Sequence, residues 1–341
     1  MDIPWLLYGA TGRTGTLIAE EACVRGHRPV LCGRDVASVR RLAQRLDLPW
    51  VAGPATDLAA LLGDARLVLL AAGPFGATSP LVLRACIAAG VHYLDIANEI
   101  PVAEAVLAAD DAARRRGITA LPAVGFGTVA SDGLARHVAE QVPDATRLEL
   151  AVLLETDGTS AGARASRMQT LSGGGRIRRD GRLVRTRLGW GAHRHGTPVG
   201  NRTLVPVPTA DLVVSAHTTG IANITMSVPV PMSPVVAELL MPALPVLARA
   251  SGKLPTRART RATNVPVRTV ESYLWARATA ADERSAEAWL RAGEGYGYTA
   301  RAAVLAVEAT LRAEPLGATT VARAFGSELS FRAGSAVVGA V

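Results

Sequence analysis

The sequence predicts an α/β protein: a Rossmann-type doubly wound parallel sheet followed by a second α+β domain. Three observations carry this expectation. The first third alternates short β-branched or leucine-rich runs with amphipathic stretches, the pattern of a parallel sheet covered by helices on both faces. A glycine-rich turn, Gly9-Ala10-Thr11-Gly12-Arg13-Thr14-Gly15, follows the first run directly and opens the first helical stretch. After Asp132 the alternation fails, and Gly173-Gly174-Gly175, clustered arginines and proline-punctuated segments mark a different, less regular unit.

Six strands are expected, at residues 3–8, 29–32, 49–52, 67–71, 92–94 and 118–122, with helices between them that include 14–25 and 102–116. In the second unit the clearest elements are a strand at 147–154, a helix at 235–250 and a long strand at 265–278, and a helix at 299–312 closes the fold. The expected domains are residues 1–132 for a dinucleotide, 133–298 for substrate or oligomerisation, and 299–341 as a C-terminal helix and tail packing back on the first. There is no internal repeat and no low-complexity linker.

At 341 residues the chain is long enough for two cores. With 49% hydrophobic and 19% charged residues and a mean hydropathy of +0.23 it is too apolar for disorder, yet no stretch approaches the ~20 apolar residues of a membrane span. The start of the chain has neither a basic leader nor a cleavage site, so a cytoplasmic location without membrane contact is expected. Three widely spaced cysteines (Cys23, Cys32, Cys86) form no C-x-x-C and read as free thiols.

The net charge of +8 is almost all arginine, since Lys253 is the single lysine. It is also localised. Ten arginines run from Arg164 to Arg202 against one acid, Asp180, and a second basic run extends from Arg249 through Lys253, Arg257, Arg259 and Arg261 to Arg268. Such a field attracts anionic partners or simply keeps a surface solvated. Nucleic acid is not expected, because aromatics are 4% and are not interleaved with the arginines.

The glycine turn carries the strongest chemical signal. Glycines there permit a tight turn, a close backbone approach to pyrophosphate and close helix-to-strand packing, while the helix N-terminus offers free N–H groups to phosphate. Gly9, Thr11, Gly12, Arg13, Thr14 and Gly15 are the expected contacts. The second strand ends at Cys32-Gly33-Arg34, and an arginine in place of a ribose-binding acid suits a 2′-phosphate, so the expected cofactor is NADP with Arg34 on that phosphate and Arg13 within reach of it. Asp35 follows and either pairs with Arg34 or caps the next helix. The fourth strand runs into Gly73-Pro74-Phe75, a turn placed to meet the nicotinamide. Candidate proton donors or orienters beyond it are Tyr93, Asp95, Glu99, Asp132 and His217, each acid having a capping or turn-holding alternative.

The order of these motifs resembles the saccharopine dehydrogenase-like oxidoreductases, including members described as trans-acting enoyl reductases. The residues that carry the resemblance are Gly9 to Gly15, Gly33-Arg34 and Ala72-Gly73-Pro74-Phe75. Residues 89–99 are similar to the family's "AGVHYxDIxGE" segment, and Gly125-Phe126-Gly127 through Ser131-Asp132 to its "GFDxxPSD" stretch. Weaker likeness appears at 219–224 and at Tyr298-Thr299-Ala300. Asn98, Gly127 and Ala130 depart from the family, which has Gly, Asp and Pro there.

Other chemistries fail on inventory. No tyrosine has a lysine four residues on, Lys253 lies in a polar run unsuited to a Schiff base, and His193 and His195 flank Arg194 with no further ligand at metal spacing, so no metal is expected. The expected function is an NADPH-dependent reductase acting on the C=C of an enoyl or related acyl group, small-molecule or carrier-bound, in biosynthetic metabolism. The alternatives are an imine (C=N) reductase of saccharopine-reductase type and a non-catalytic NADP-binding sensor or scaffold. A homodimer is compatible with the sequence.

Overall fold

The structure, a computed structural model, describes residues 4–153, 173–245, 271–334 and 336–338. Six parallel strands form the first sheet: β1 (Trp5–Tyr8), β2 (Val30–Gly33), β3 (Trp50–Ala52), β4 (Leu67–Leu70), β5 (His92–Asp95) and β6 (Thr119–Leu121). Their spatial order is β6-β5-β4-β1-β2-β3. The chain therefore reverses direction between β1 and β4, where a doubly wound sheet opens a crevice at its carboxyl edge. β1 and β4 are buried at every position, as strands covered on both faces must be.

Helices α1 (Arg13–Val24), α2 (Val36–Leu46), α3 (Leu58–Leu61) and α4 (Phe75–Ala89) make the first crossovers. The helix expected at 102–116 is two helices, α5 (Ile100–Leu107) and α6 (Asp110–Arg115). Asp110 and Asp111 open the second, where the helix dipole favours acids. α7 (Thr128–Gln141) then leaves the first sheet and lies against the second.

The second sheet contains β7 (Arg147–Leu153), β10 (His193–His195), β11 (Arg202–Pro206), β12 (Asn223–Val230), β13 (Ser272–Thr279), β14 (Ser285–Gly293) and β16 (Ala336–Val338). Their order is β10-β11-β12-β7-β13-β14-β16, with β12 and β7 parallel and the other pairs antiparallel. A hairpin of β8 (Gly175–Arg179) and β9 (Arg182–Thr186) pairs onto β12. Its turn, Asp180-Gly181, has φ of +47° and +75°, the two left-handed positions of a two-residue hairpin turn.

α8 (Asp211–Thr219) precedes β12, and α9 (Pro234–Leu240) follows it. The helix expected at 235–250 gives way at Met241 to a single 3-10 turn. Pro242 in that turn has no N–H to continue an α-helix. Residues 246–250 and the first part of the strand expected at 265–278 lie outside the described residues.

α10 (Gly295–Ala313) returns to pack along α1, and β15 (Gly317–Ala318) adds a seventh parallel strand beside β6. α11 (Val321–Phe325) and α12 (Glu328–Arg332) then close over α7.

One buried cluster runs through Trp5, Leu7 and Leu67 of the first sheet, Leu134 and Val138 of α7, Leu148, Leu274 and Leu290 of the second sheet, and Val304 of α10. The two sheets therefore share a core. Leu134→Ala, at a fully buried position between them, is expected to cost about 2–5 kcal/mol. Far-UV and tryptophan signals should melt together at the lower temperature, and two separate transitions would show that the halves unfold independently.

Candidate functional site

The three glycines of the first turn do different work. A Cβ on Gly9, whose φ is +94°, would lie 2.7 Å from the Ala72 amide nitrogen, so this residue lets the loops after β1 and β4 touch. A Cβ on Gly15 would lie 2.1 Å from the Gly9 carbonyl oxygen, so it seats α1 against the turn. Gly12 is unlike both. A Cβ there meets only the Gly9 carbonyl oxygen, at 3.5 Å, and nothing in the protein fills the space beyond. No side chain caps α1, whose N-cap is Gly12. Open space over uncapped helical N–H groups is what a pyrophosphate requires, and the residues present fit one. Thr11 and Arg13 are exposed beside it, Thr14 is half-buried, and the Thr16 hydroxyl holds the turn by donating to the Ala10 carbonyl at 3.1 Å.

At the end of β2 the ambiguity around Asp35 resolves in favour of the cap. Its carboxylate accepts from the Ala37 and Ser38 amides and from the Ser38 hydroxyl, at 2.8–3.4 Å. These bonds hold its pKa below the usual carboxylate value. Arg34 is exposed, and its guanidinium makes no hydrogen bond or ion pair among the described residues. Arg13 does have a partner: its guanidinium lies 4.0 Å from the centroid of the Tyr296 ring, at the start of α10. This cation–π contact draws Arg13 towards α10, which leaves Arg34 as the free cation at the end of β2.

Beyond β4, Gly73 and Pro74 are exposed and Phe75 is half-buried at the start of α4. Tyr93 and Asp95 are fully buried. The Tyr93 hydroxyl donates to Asp95 Oδ2 at 2.8 Å and lies 2.8 Å from the Ser79 hydroxyl, while Asp95 Oδ1 accepts from the amides of Ala97 and Ala123 at 2.9 and 3.0 Å. Every polar bond of this chain runs inward. Tyr93 and Asp95, expected as candidate proton donors, are set by the structure to hold the loops after β5 and β6 in place, Ala123 among them at φ +59°. Burial pushes the Asp95 pKa up to about 6, and burial beside Asp95 raises that of Tyr93.

Glu99 stands differently. It lies where β5 passes into α5, accepts from the Asn98 amide at 3.0 Å, and faces a cavity of about 230 Å³. Gly76 beside the β4 turn, Glu99, Ile100 and Pro101 form one side, and Gly174 and Arg176 at the root of the β8–β9 hairpin form the other. The cavity thus lies between the two domains. The sequence reading missed Arg176 as a site residue, although Asp180-Gly181 between two alternating runs is a hairpin signal that would have placed it. It also missed Tyr296. Asn98, the preceding residue, is held by two bonds, its side-chain oxygen accepting from the Thr128 hydroxyl at 3.3 Å and its carbonyl from the Ala210 amide at 3.1 Å.

Asp132 and His217 are not brought to this cavity. Asp132 is buried on α7, accepts the Ala322 amide at 3.1 Å through Oδ2, and has the hydroxyls of Thr218 and Thr320, bonded to each other, beside it. His217 lies beside Asp110 and Arg323, on elements next to β15, four strands from β1. Burial lowers the His217 pKa. His195 packs against Trp275 at a ring separation of 4.2 Å, and among the described residues no group of three or more His, Cys, Asp or Glu could hold a metal.

Buried Asp132 has a pKa raised to about 7, and neighbouring Asp211, which accepts the Ser131 and Thr209 hydroxyls, is raised too, burial being the main cause in both. A raised folded-state value means that the native protein binds more protons than the unfolded chain between pH ~4 and ~7, so stability falls as pH rises through that window. Asp132→Asn is expected to flatten this fall and to raise stability at pH 8 by about 1 kcal/mol or more. Urea melts across pH 4–8 measure it, and an unchanged pH slope would contradict it.

Residues 5–121 match the model of the saccharopine dehydrogenase NADP-binding domain. No curated protein sequence matches the chain significantly. Among solved structures, apo saccharopine dehydrogenase (L-Glu forming) from Saccharomyces cerevisiae superposes with a TM-score of 0.66 at 12% identity, covering 98% of this chain and 100% of that one. A probable dehydrogenase from Thermotoga maritima gives 0.50 at 9% identity, covering 98% of each chain. These likenesses are of fold, and among the described residues no helix is long and apolar enough to cross a membrane. Residues 5–121 thus match a saccharopine dehydrogenase-type NADP-binding domain, and the chain as a whole shares the fold of saccharopine dehydrogenase.

Proposed function

We propose that this chain is an NADPH-dependent reductase that delivers hydride to an unsaturated carbon, with the C=C of an enoyl or related acyl group as the acceptor. The observation that carries this is the cavity lined at once by Gly76, Glu99 and Arg176. It lies at the carboxyl edge of the parallel sheet, beside the β4 turn, and presents an acid and a base to whatever occupies it. A non-catalytic cofactor sensor has no need of two ionisable groups at that edge. Bound NADPH would supply the hydride, and water reaching the cavity from solvent would supply the proton that completes the reduction at the α-carbon. The chain's own part is to bind, orient and compensate charge. Gly12 and the start of α1 leave room for pyrophosphate, and Arg34 offers a free guanidinium to a 2′-phosphate. Arg176 can face the carbonyl oxygen of a conjugated acyl group, where negative charge develops as hydride adds. The Tyr93–Asp95 chain keeps the loops after β5 and β6 rigid, so that Glu99 and Asn98 hold their places.

Glu99 supports a second reading. A carboxylate facing the cavity stabilises a cationic acceptor, which favours a protonated imine over an acyl C=C. The two readings part on which wall matters. With an enoyl thioester, Arg176→Ala should lower kcat/KM about tenfold or more and Glu99→Gln should do less, whereas imine reduction reverses the order. Turnover of cyclic imines alone would defeat the acyl assignment, and turnover of neither class would defeat both.

Cofactor choice is tested separately. NADPH is expected to bind more tightly than NADH, and Arg34→Ala should weaken NADPH alone, by about 1.5–3 kcal/mol. Equal affinities in the unmutated protein would overturn NADP preference.

Gly12→Val places a side chain in the open space over α1. Because no protein atom is displaced there, the variant is expected to keep its melting temperature while losing cofactor binding. Retained NADPH affinity would make the turn purely structural.

A further inference from the structure

Helix α9 exposes almost everything apolar that it carries. Val235 and Leu239 are 75% and 76% exposed, Leu240 is 56% exposed, and Val236 and Leu244 continue the same surface. Only Ala237 of this helix is buried. Isolated exposed aliphatics are ordinary, but four on one seven-residue helix, with Leu244 just beyond it, make an apolar surface of the kind that soluble proteins avoid.

The patch adjoins the arginine hairpin. Leu188, just after β9, packs with Ala237 and Met241, and Gly189 approaches the Ala237 carbonyl so closely that a Cβ would lie 2.5 Å from it. Trp190 follows, 43% exposed, with the Arg179 guanidinium 5.7 Å from its ring centroid. Arg179, Arg182, Arg185 and Arg187 are exposed around it. Elsewhere arginines such as Arg25, Arg66, Arg114, Arg136, Arg147 and Arg284 have carboxylate partners. Those of residues 176–202 form no salt bridge among the described residues, and within described residues 173–245 the exposed acids are Asp180 and Glu238. Arg164, Arg167 and the basic run at 249–268 lie outside the described residues.

We propose that α9, Trp190 and the β8–β9 hairpin form a docking surface for an anionic lipid bilayer. Aliphatic side chains that project from a short helix insert into the headgroup boundary, a tryptophan settles at the interface, and unpaired arginines meet anionic headgroups. A second copy of the chain fits less well, since a two-fold interface would set one arginine-rich surface against its own duplicate. The surface is also joined to the candidate site, because Gly174 and Arg176 at the root of the same hairpin line the cavity. The inference does not depend on the reductase assignment.

The full-length protein without added cofactor or substrate is co-sedimented with vesicles of phosphatidylglycerol and phosphatidylcholine, and with phosphatidylcholine alone. Binding is expected only to the anionic vesicles and should weaken as salt rises. Leu239→Glu and the pair Arg179→Glu with Arg182→Glu should each reduce it about tenfold or more, with melting temperatures unchanged because all three side chains face solvent. Sedimentation velocity of the same proteins distinguishes a second copy. Absence of binding to anionic vesicles at low salt overturns the proposal, as does a wild-type dimer that Leu239→Glu converts to a monomer. Binding that survives both sets of substitutions places the lipid contact elsewhere and also overturns it.

Discussion

The first two turns of helix α7 have no solvent side to spare, and the rest of the molecule is arranged around that constraint. Residues Thr128 to Ala135 are buried without a break, so the helix must be covered in every direction. Small residues make this possible. Gly133 approaches α12 so closely that a Cβ would lie 2.2 Å from the Ser330 hydroxyl, and Ala130, Ser131 and Ala135 are similarly slight. The second sheet, α8, α11 and α12 close over it. The two halves of the chain consequently share one core.

That shared core explains where the buried acids fall. A helix enclosed by other elements needs its polar groups satisfied internally: Asp211 accepts the Ser131 and Thr209 hydroxyls and Asp132 Oδ2 the Ala322 amide, while Asp132 Oδ1 lies buried without a hydrogen bond. Asp95 plays the same part at the carboxyl edge of the first sheet, where it ties together loops that would otherwise be free to move. Raised pKa values often mark active sites, but here burial is their main cause, with a neighbouring carboxylate adding to it at Asp95 and Asp132. Exposure to the cavity, which Glu99 has and Asp95 lacks, is the better guide to chemistry.

The second domain contributes charge to the site from the side opposite the cofactor fold. Its hairpin carries arginines outward along its length and sets Arg176 at its root against the cavity. A β-hairpin is suited to this, because alternate side chains point to opposite faces and Ile177 can be buried between Arg176 and Arg178. The same element thus borders both the candidate cavity and an open surface rich in arginine and aliphatic side chains.

Much of the nucleotide end was legible in the sequence, because its determinants are local. Gly9, Gly12 and Gly15 act within one turn, Arg34 ends one strand, and the parallel sheet follows from the βα period and the right-handed crossover. The remainder depended on partners distant in the chain. Tyr93, Asp95 and Glu99 lie within seven residues and look equally available, yet only the packing of α4 and of the β6 loop decides that two are enclosed and one faces the cavity. Arg13 is turned by Tyr296, and β15 is a strand of two residues that no periodicity could reveal. Asp180-Gly181 did signal a hairpin, but that its root would meet Glu99 across the domains was decided by the tertiary structure, because the closeness of two segments far apart in sequence is settled by how the shared core packs, not by local preference.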